Sequence, residues 1–143
     1  MFYSLLNLTE EQKFVYLRLL VFLAKSDNIV VKEEKDFIQQ ILLRFNLPSE
    51  KLKSLTIPQN IDEIYHMLKP INNRQIALDL IHCLWFATLA DEHIADEEIE
   101  IVRAVAKFLN ISDDVLIKLN DFVLDEINFL DRACKILETD KVF

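Results

Sequence analysis

Two pairs of carboxylates are the residues of this chain best placed to do chemistry. Asp27 and Glu34 stand seven positions apart, and Asp91 and Glu98 repeat that spacing 64 positions later. Carboxylate oxygens are the ligands that hard divalent cations prefer in proteins. We therefore take these four residues as the candidate metal ligands of the chain.

The segment around the second pair is the more acidic of the two. Next to His93 it holds six carboxylates within ten residues: Asp91, Glu92, Asp96, Glu97, Glu98 and Glu100. Oxygen ligands suit Ca²⁺ or Mg²⁺, whereas ligation by His93 would admit Zn²⁺ or Mn²⁺. The pattern is not that of an EF-hand, because an EF-hand loop requires a glycine and this chain contains none. The choice among these four cations stays open.

The acidic connections also have a purely structural interpretation. Asp27 and Asp91 each follow an apolar helix, at the end where the helix dipole disfavours negative charge. Backbone amides of the connection and of the next helix start can offset this cost by donating hydrogen bonds to the carboxylate. These amides need such a partner because the residues at the expected cap positions, Val31 and Ala95, are poor capping residues. On this interpretation the carboxylates fasten two helices together, either alone or in addition to binding a cation.

The carboxylates belong to an internal repeat. Residues 20–52 align without a gap on residues 84–116, and each copy reads as an apolar helix, an acidic connection and an amphipathic helix. Packing of the copies about a pseudo-twofold axis would bring the four candidate ligands together. The identical pairs are Leu20/Leu84, Phe22/Phe86, Asp27/Asp91, Glu33/Glu97, Glu34/Glu98, Asn46/Asn110 and Leu52/Leu116.

The elements around the repeat are also predicted to be helical. Helix-start patterns occur at Thr9–Gln12, Asn60–Glu63, Asn72–Gln75 and Ser112. Strict alternation of apolar and polar residues is missing, so no strand is predicted. We predict an all-α, single-domain helical bundle over residues 1–143. It comprises repeat one at about 10–52, short linking helices at 48–70, repeat two at about 73–118 and a long C-terminal helix at about 112–138.

The C-terminal helix carries more apolar surface than one side of a small bundle requires. Val115, Phe122, Phe129 and Ile136 recur every seven residues, beside a parallel row of Leu116, Val123, Leu130 and Leu137. One interpretation buries the phenylalanine row beneath the segment between Pro48 and Pro70. The other makes it a surface for self-association or for a protein partner.

Composition narrows the function further. The net charge of −8 would repel a nucleic-acid backbone, and the lack of glycine excludes glycine-rich phosphate loops. Charged residues interrupt the longest apolar runs, so no membrane span is predicted. The N-terminus lacks the basic start of a signal peptide. We expect a cytoplasmic protein in which Cys83 and Cys134 are buried free thiols.

Two further carboxylate–histidine pairs deserve comparison with known metal sites. Glu63–His66 and Asp79–His82 have the i, i+3 spacing found in di-iron carboxylate bundles, which also need carboxylates from other long helices. We favour a simpler interpretation: His82 as a hydrogen-bonded histidine on a mostly buried helix, and His66 as a surface or boundary residue. No nucleophile–histidine arrangement is apparent, so we expect no enzymatic activity.

The repeated motif resembles the TerB-like domain family. Its pattern Asp-x-x-(Ile/Val)-x-x-x-Glu occurs twice, as residues 27–34 and 91–98, and the resemblance covers roughly residues 10–118. The family usually has glycine after the aspartate, where this chain has Asn28 and Glu92. The resemblance implies an all-helical duplicated fold and acidic residues that bind divalent cations. We therefore expect a cation-binding module acting in a stress response of the tellurite-resistance kind; the alternative is an adaptor whose acidic loops are structural only.

Overall fold

The computed structural model describes residues 6–25, 39, 42–47, 50, 56–90 and 96–140. Within these ranges the regular structure is helical and no strand occurs, which confirms the all-α prediction. The helices whose bounds fall within the described residues are α1 (Glu10–Lys25), α2 (Ile61–Met67), α3 (Arg74–Ala90), α4 (Asp96–Phe108) and α5 (Asp113–Ile136). Three of the four predicted ligands, Asp27, Glu34 and Asp91, lie outside the described residues.

Helix α1 begins with the predicted capping box. The amide of Gln12 donates to Thr9 Oγ1 at 3.2 Å, and the amide of Thr9 donates to Gln12 Oε1 at 2.9 Å. Both helix-start amides are satisfied in this way. The side chain of Gln12 is buried, and its Nε2 donates to the carbonyl oxygen of Pro70 at 3.2 Å. The same residue therefore starts α1 and ties it to the segment that precedes α3.

The other helix starts follow the sequence patterns with one shift. Asn60 accepts from the amide of Glu63 at 3.0 Å, and Ser112 caps α5 as predicted. Helix α3 begins one residue later than the pattern suggested, because Asn73 rather than Asn72 supplies the cap. Its Oδ1 accepts from the amide of Ile76 at 2.8 Å. Two adjacent asparagines offered the same capping chemistry, so the pattern could not choose between them.

Helix α3 is the central helix of the described part of the chain. It contacts α1, α4 and α5, whereas α2 packs on α4. Its buried residues cover most of the helix circumference, as expected of a helix that packs against several others. They are Ile76, Ala77, Leu80, Ile81, Cys83, Leu84, Trp85, Phe86 and Thr88. No helix among the described residues is both long and apolar enough to cross a lipid bilayer.

Helix α5 buries one face against α3 and leaves the other exposed. Leu116 and Val123 are buried, but Phe122, Phe129 and Ile136 are 58%, 61% and 79% exposed. The interpretation that buries the phenylalanine row beneath the linking segment is therefore wrong. Heptad spacing alone could not reveal this, because both rows have the same period and only the packing angle of α5 decides which row faces the core.

Candidate metal centre

Helix α3 carries three potential metal ligands on one face. Asp79, His82 and Cys83 occupy positions i, i+3 and i+4, which lie above one another on a helix. One ligand atom from each residue lies within 4.8 Å of the other two. We call these three residues the α3 cluster. They are the only group of this kind found among the described residues.

Tyr16 of α1 holds the carboxylate of the cluster. Its hydroxyl donates to Asp79 Oδ2 at 2.7 Å and also lies 3.2 Å from the carbonyl oxygen of Ile76. The tyrosine is fully buried, and its ring packs edge-on against Phe45 at a centroid distance of 5.7 Å. A hydroxyl fixed by such packing orients the carboxylate from the side of α1.

Helix α5 holds the histidine of the cluster. His82 Nε2 lies 3.0 Å from Glu126 Oε1, and the two side chains are about one-fifth exposed, at 20% and 23%. The ring of Phe122 lies against the imidazole, with the centroids 5.6 Å apart. Because Nε2 is bonded to Glu126, Nδ1 is the ring nitrogen through which a metal can bind without breaking that bond. Carboxylates commonly orient metal-bound histidines in this way.

Cys83 is the innermost member of the cluster. Burial raises the pKa of its thiol well above the usual range, and the carboxylates of Asp79 and Glu126 raise it further. In the metal-free protein the thiol therefore stays protonated, because a thiolate would be desolvated and would face two negative charges. A bound cation reverses both effects, since it supplies positive charge and takes the thiolate as a ligand.

The donor set fits a transition metal better than calcium or magnesium. Sulfur, imidazole nitrogen and carboxylate oxygen are the three ligand types of zinc, and three protein ligands with one open position are common at zinc sites. Zinc–ligand bonds of about 2.0–2.3 Å would set tetrahedral ligand atoms roughly 3.3–3.8 Å apart. The ligand atoms of the cluster lie within 4.8 Å of one another, so only small side-chain movements are needed to reach that geometry. The residues of the α3 cluster therefore fit such an ion.

The predicted acidic site is represented in the structure by Glu98 alone. It lies in the first turn of α4, where the helix dipole favours a carboxylate, and it is only 4% exposed. It is not a member of the α3 cluster. Whether Glu98 meets Asp27, Glu34 and Asp91 stays a prediction, because those three residues lie outside the described ranges.

The structure confirms the simpler interpretation of both histidines. His82 is hydrogen bonded on a mostly buried helix, and His66 is exposed. Glu63 does not point inward to a metal site, because its Oε2 accepts from the amide of Gln59 at 2.7 Å near the start of α2. Of the two cysteines, Cys83 is buried as predicted, whereas Cys134 is only half-buried on the outer part of α5.

Cys83 was not among the candidate ligands predicted from the sequence. Asp79 and His82 were compared with known metal sites as one pair, and the cysteine next to them was interpreted as a buried free thiol. The run Asp-x-x-His-Cys places three different ligand types on one helix face, and this signal was present in the sequence. The supporting groups, Tyr16 and Glu126, come from distant parts of the chain and could not be assigned from spacing.

Comparison with known proteins gives one result that bears on this site. A family model described as "Tellurite resistance protein TerB" matches residues 13–121. No curated protein and no solved structure gives a significant match. The matched segment contains the α3 cluster and both acidic connections, but it ends before Glu126. Because the match covers well over half of the sequence, the chain belongs to the TerB family.

Proposed function

We propose that this TerB-family module binds a divalent transition-metal cation at the α3 cluster, with Zn²⁺ as the preferred ion. The observation that carries the proposal is the mutual approach of three different ligand types, within 4.8 Å, on one face of a central helix. Binding sites of this composition discriminate against Ca²⁺ and Mg²⁺, which require oxygen ligands.

Each residue has a defined part in this proposal. Cys83 supplies the thiolate and releases its proton on binding, His82 binds through Nδ1, and Asp79 contributes a carboxylate oxygen. Tyr16 and Glu126 do not bind the ion but hold Asp79 and His82 in position. The ion contributes positive charge among groups that are otherwise negative or neutral, so binding also stabilises the folded protein.

A second cation site at the acidic connections is part of the same proposal. Its ligands are Asp27, Glu34, Asp91 and Glu98, and its oxygen-rich composition suits Ca²⁺ or Mg²⁺, with Mn²⁺ or Zn²⁺ if His93 takes part. The support for this site is the repetition of the motif, the membership of the TerB family and the burial of Glu98. A clasp without metal is the competing interpretation for these residues.

Calorimetric titration with Ca²⁺, Mg²⁺, Mn²⁺ and Zn²⁺ separates the two sites. We expect Zn²⁺ binding that His82→Gln abolishes, with Cys134→Ser as the matched control that leaves it unchanged. Asp27→Asn combined with Asp91→Asn should remove binding of the hard cations and leave binding at the α3 cluster intact. Absence of heat with Zn²⁺ at millimolar concentration, in a protein shown to be folded, would overturn the proposal for the α3 cluster.

We propose a non-enzymatic role in a stress response of the tellurite-resistance kind. The support is the family description and the lack of a recognisable nucleophile–histidine arrangement in the sequence. Cys83 must stay reduced to serve as a ligand, which a compartment such as the cytoplasm ensures. Growth on tellurite tests the role: cells that depend on this protein should lose tolerance with His82→Gln and keep it with Cys134→Ser. Equal tolerance of both strains would contradict it.

The second candidate function is that of a protein-interaction module with purely structural acidic connections. The observation that favours it is the exposure of Phe122, Phe129 and Ile136 on α5. It does not exclude metal binding, although the two regions adjoin, because the ring of Phe122 lies 5.6 Å from the imidazole of His82.

A further inference from the structure

A cavity of about 590 Å³ lies between α3, α4 and α5. It forms because α4 and α5 each pack on α3 but make little contact with each other. Helix α3 is therefore the floor of the cavity, and α4 and α5 are its two walls. The floor includes Trp85 and Leu89, which stand one turn apart on the same face of α3. Cavities of this size are typical of sites that bind small molecules, and this one shares no residue with the α3 cluster.

Most of the described residues that line the cavity are apolar. Ile99 lines it from α4 and Ile117 lines it from α5. Ile117 is 59% exposed although it is a large apolar side chain. Such a side chain favours an apolar group beside it over water, because the exchange removes apolar surface from the solvent. The cavity therefore suits a ligand with a branched or aromatic hydrocarbon group.

The two walls carry opposite charges. Arg103 lies on α4, one turn beyond Ile99, and Asp113 lies on α5, one turn before Ile117. Neither side chain forms an ion pair within the described part of the chain, so the two charges do not neutralise each other. A ligand with a single charge would be attracted by one wall and repelled by the other. A ligand with one positive and one negative group is attracted by both.

Trp85 adds a hydrogen-bond donor that has no acceptor. Its side chain is only 5% exposed, and its indole nitrogen is buried without a hydrogen-bond partner among the described residues. The indole nitrogen can only donate, and a buried one usually has an acceptor. A carboxylate bound between the walls would bring an acceptor to the floor of the cavity, whereas an ammonium group would bring only further donors.

We propose that this cavity binds a free α-amino acid with a large apolar side chain. The carboxylate of the ligand pairs with Arg103, and its ammonium group pairs with Asp113. The side chain of the ligand lies against Trp85, Leu89 and Ile117. Arginine suits the first role because its guanidinium can donate two parallel hydrogen bonds to one carboxylate. Metal binding at the α3 cluster is not required for this site.

The fluorescence of Trp85 reports binding directly, because the chain has one tryptophan. Phenylalanine is the probe, and two analogues match it: 3-phenylpropionate lacks the ammonium group and 2-phenylethylamine lacks the carboxylate. We expect a saturable fluorescence change with phenylalanine and binding of each analogue that is weaker by roughly tenfold or more. A folded protein that shows no saturable change at about 10 mM phenylalanine, which would fill a site with millimolar Kd, would overturn the proposal. Equal affinity for phenylalanine and either analogue would also overturn it.

Two substitutions that remove a charge test which wall binds which end of the ligand. Arg103→Gln should remove the advantage of phenylalanine over 2-phenylethylamine, and Asp113→Asn should remove its advantage over 3-phenylpropionate. Lys107→Gln is the matched control, because Lys107 is exposed on α4 one turn beyond Arg103 and is not among the described residues that line the cavity. All three side chains are exposed, so we expect circular-dichroism spectra like that of the wild type. An unchanged ligand preference in either folded cavity variant, or the same loss in Lys107→Gln, would contradict the assignment.

Discussion

Asn46 and Asn110, which stand 64 positions apart, adopt the same left-handed backbone conformation, with φ values of 53° and 58°. In both places the amide of the next residue donates to the carbonyl oxygen five positions back at 2.9 Å, from Leu47 to Leu42 and from Ile111 to Ala106. The next residue is buried in each case. This is the Schellman helix ending, which usually has glycine at the left-handed position. A chain without glycine uses asparagine there instead.

We expect these asparagines to be more important for stability than their exposed positions suggest. Asn110→Ala should lower the free energy of unfolding by about 1 kcal/mol. The left-handed conformation brings the Cβ atom of alanine too close to the backbone, and alanine lacks the short polar side chain through which asparagine tolerates this conformation. Asn110→Gly should be neutral or stabilising. Chemical denaturation measures both, and Asn72→Ala, at an exposed position outside the helices, serves as the control with little change. Equal stability of the alanine and glycine variants would contradict this account.

Glu138 is the reverse case. It ends α5 in the left-handed region, with φ 51°, although glutamate is poorly suited to that conformation. The amide of Thr139 donates to the carbonyl oxygen of Cys134 at 3.0 Å, so the ending has the same hydrogen-bond pattern. We expect Glu138→Gly to raise the free energy of unfolding by roughly 0.5–1 kcal/mol, because relief of about 1–2 kcal/mol of left-handed strain outweighs the extra entropy that glycine gives the unfolded chain. A lower melting temperature for this variant than for the wild type would show that the ending is not strained.

Much of the fold could be predicted from local sequence patterns. Thr9, Asn60 and Ser112 were identified as helix caps because capping depends on residues only a few positions apart. The direction in which α5 faces could not be predicted, since it depends on contacts with α3, far away in the sequence. The left-handed turns at Asn46 and Asn110 could have been found, because an asparagine after an amphipathic helix in a glycine-free chain is a signal of a helix end.

Tyr16 should contribute to stability mainly through its hydroxyl. Tyr16→Phe keeps the buried ring but removes the donor that bonds to Asp79 at 2.7 Å. We expect a loss of roughly 1–3 kcal/mol in the free energy of unfolding, because the partly buried carboxylate loses a hydrogen bond that water does not fully replace. Tyr65→Phe is the control: its ring stacks on Phe108 with centroids 4.8 Å apart, and that contact is independent of the hydroxyl. Similar losses for the two variants would contradict the assigned role of Tyr16.

The thiol of Cys83 should make the metal-free protein less stable at alkaline pH. Its pKa is raised in the folded state, whereas in the unfolded chain a thiol ionises near about 8.5. Above that pH the unfolded state binds fewer protons than the folded state. The free energy of unfolding therefore falls as pH rises towards the folded-state pKa, by up to about 1.4 kcal/mol per pH unit. Below about pH 8 the thiol is protonated in both states, so its contribution to the free energy of unfolding does not change with pH.

Denaturation with a chelator present, between pH 7 and pH 10, measures this slope. Cys83→Ala should remove the thiol contribution, and Cys134→Ala should retain the slope of the wild type. The comparison with the two variants separates the thiol from other groups that titrate in the same range. A wild type and a Cys83→Ala variant with identical pH dependence would show that the thiol ionises equally in both states.

The candidate site illustrates what spacing can and cannot show. Residue types and intervals along α3 place Asp79, His82 and Cys83 on one face, and this follows from helix geometry alone. The bonds from Tyr16 and Glu126 depend on how α1 and α5 pack on α3, so no local pattern contains them. The acidic connections present the opposite situation: the sequence marks them clearly through the repeat, and of their four predicted ligands only Glu98 is among the described residues.

The central claim is that the α3 cluster binds a transition metal through the thiolate of Cys83. Titration with Co²⁺, a spectroscopic substitute for Zn²⁺, tests it most directly, because a cobalt–thiolate bond gives an intense near-ultraviolet charge-transfer absorption. We predict this absorption in the wild type and in Cys134→Ser, its loss in Cys83→Ser, and its disappearance when Zn²⁺ is added to the wild type. A folded wild type that shows no such absorption, or an absorption that disappears with Cys134→Ser and persists with Cys83→Ser, would contradict the claim.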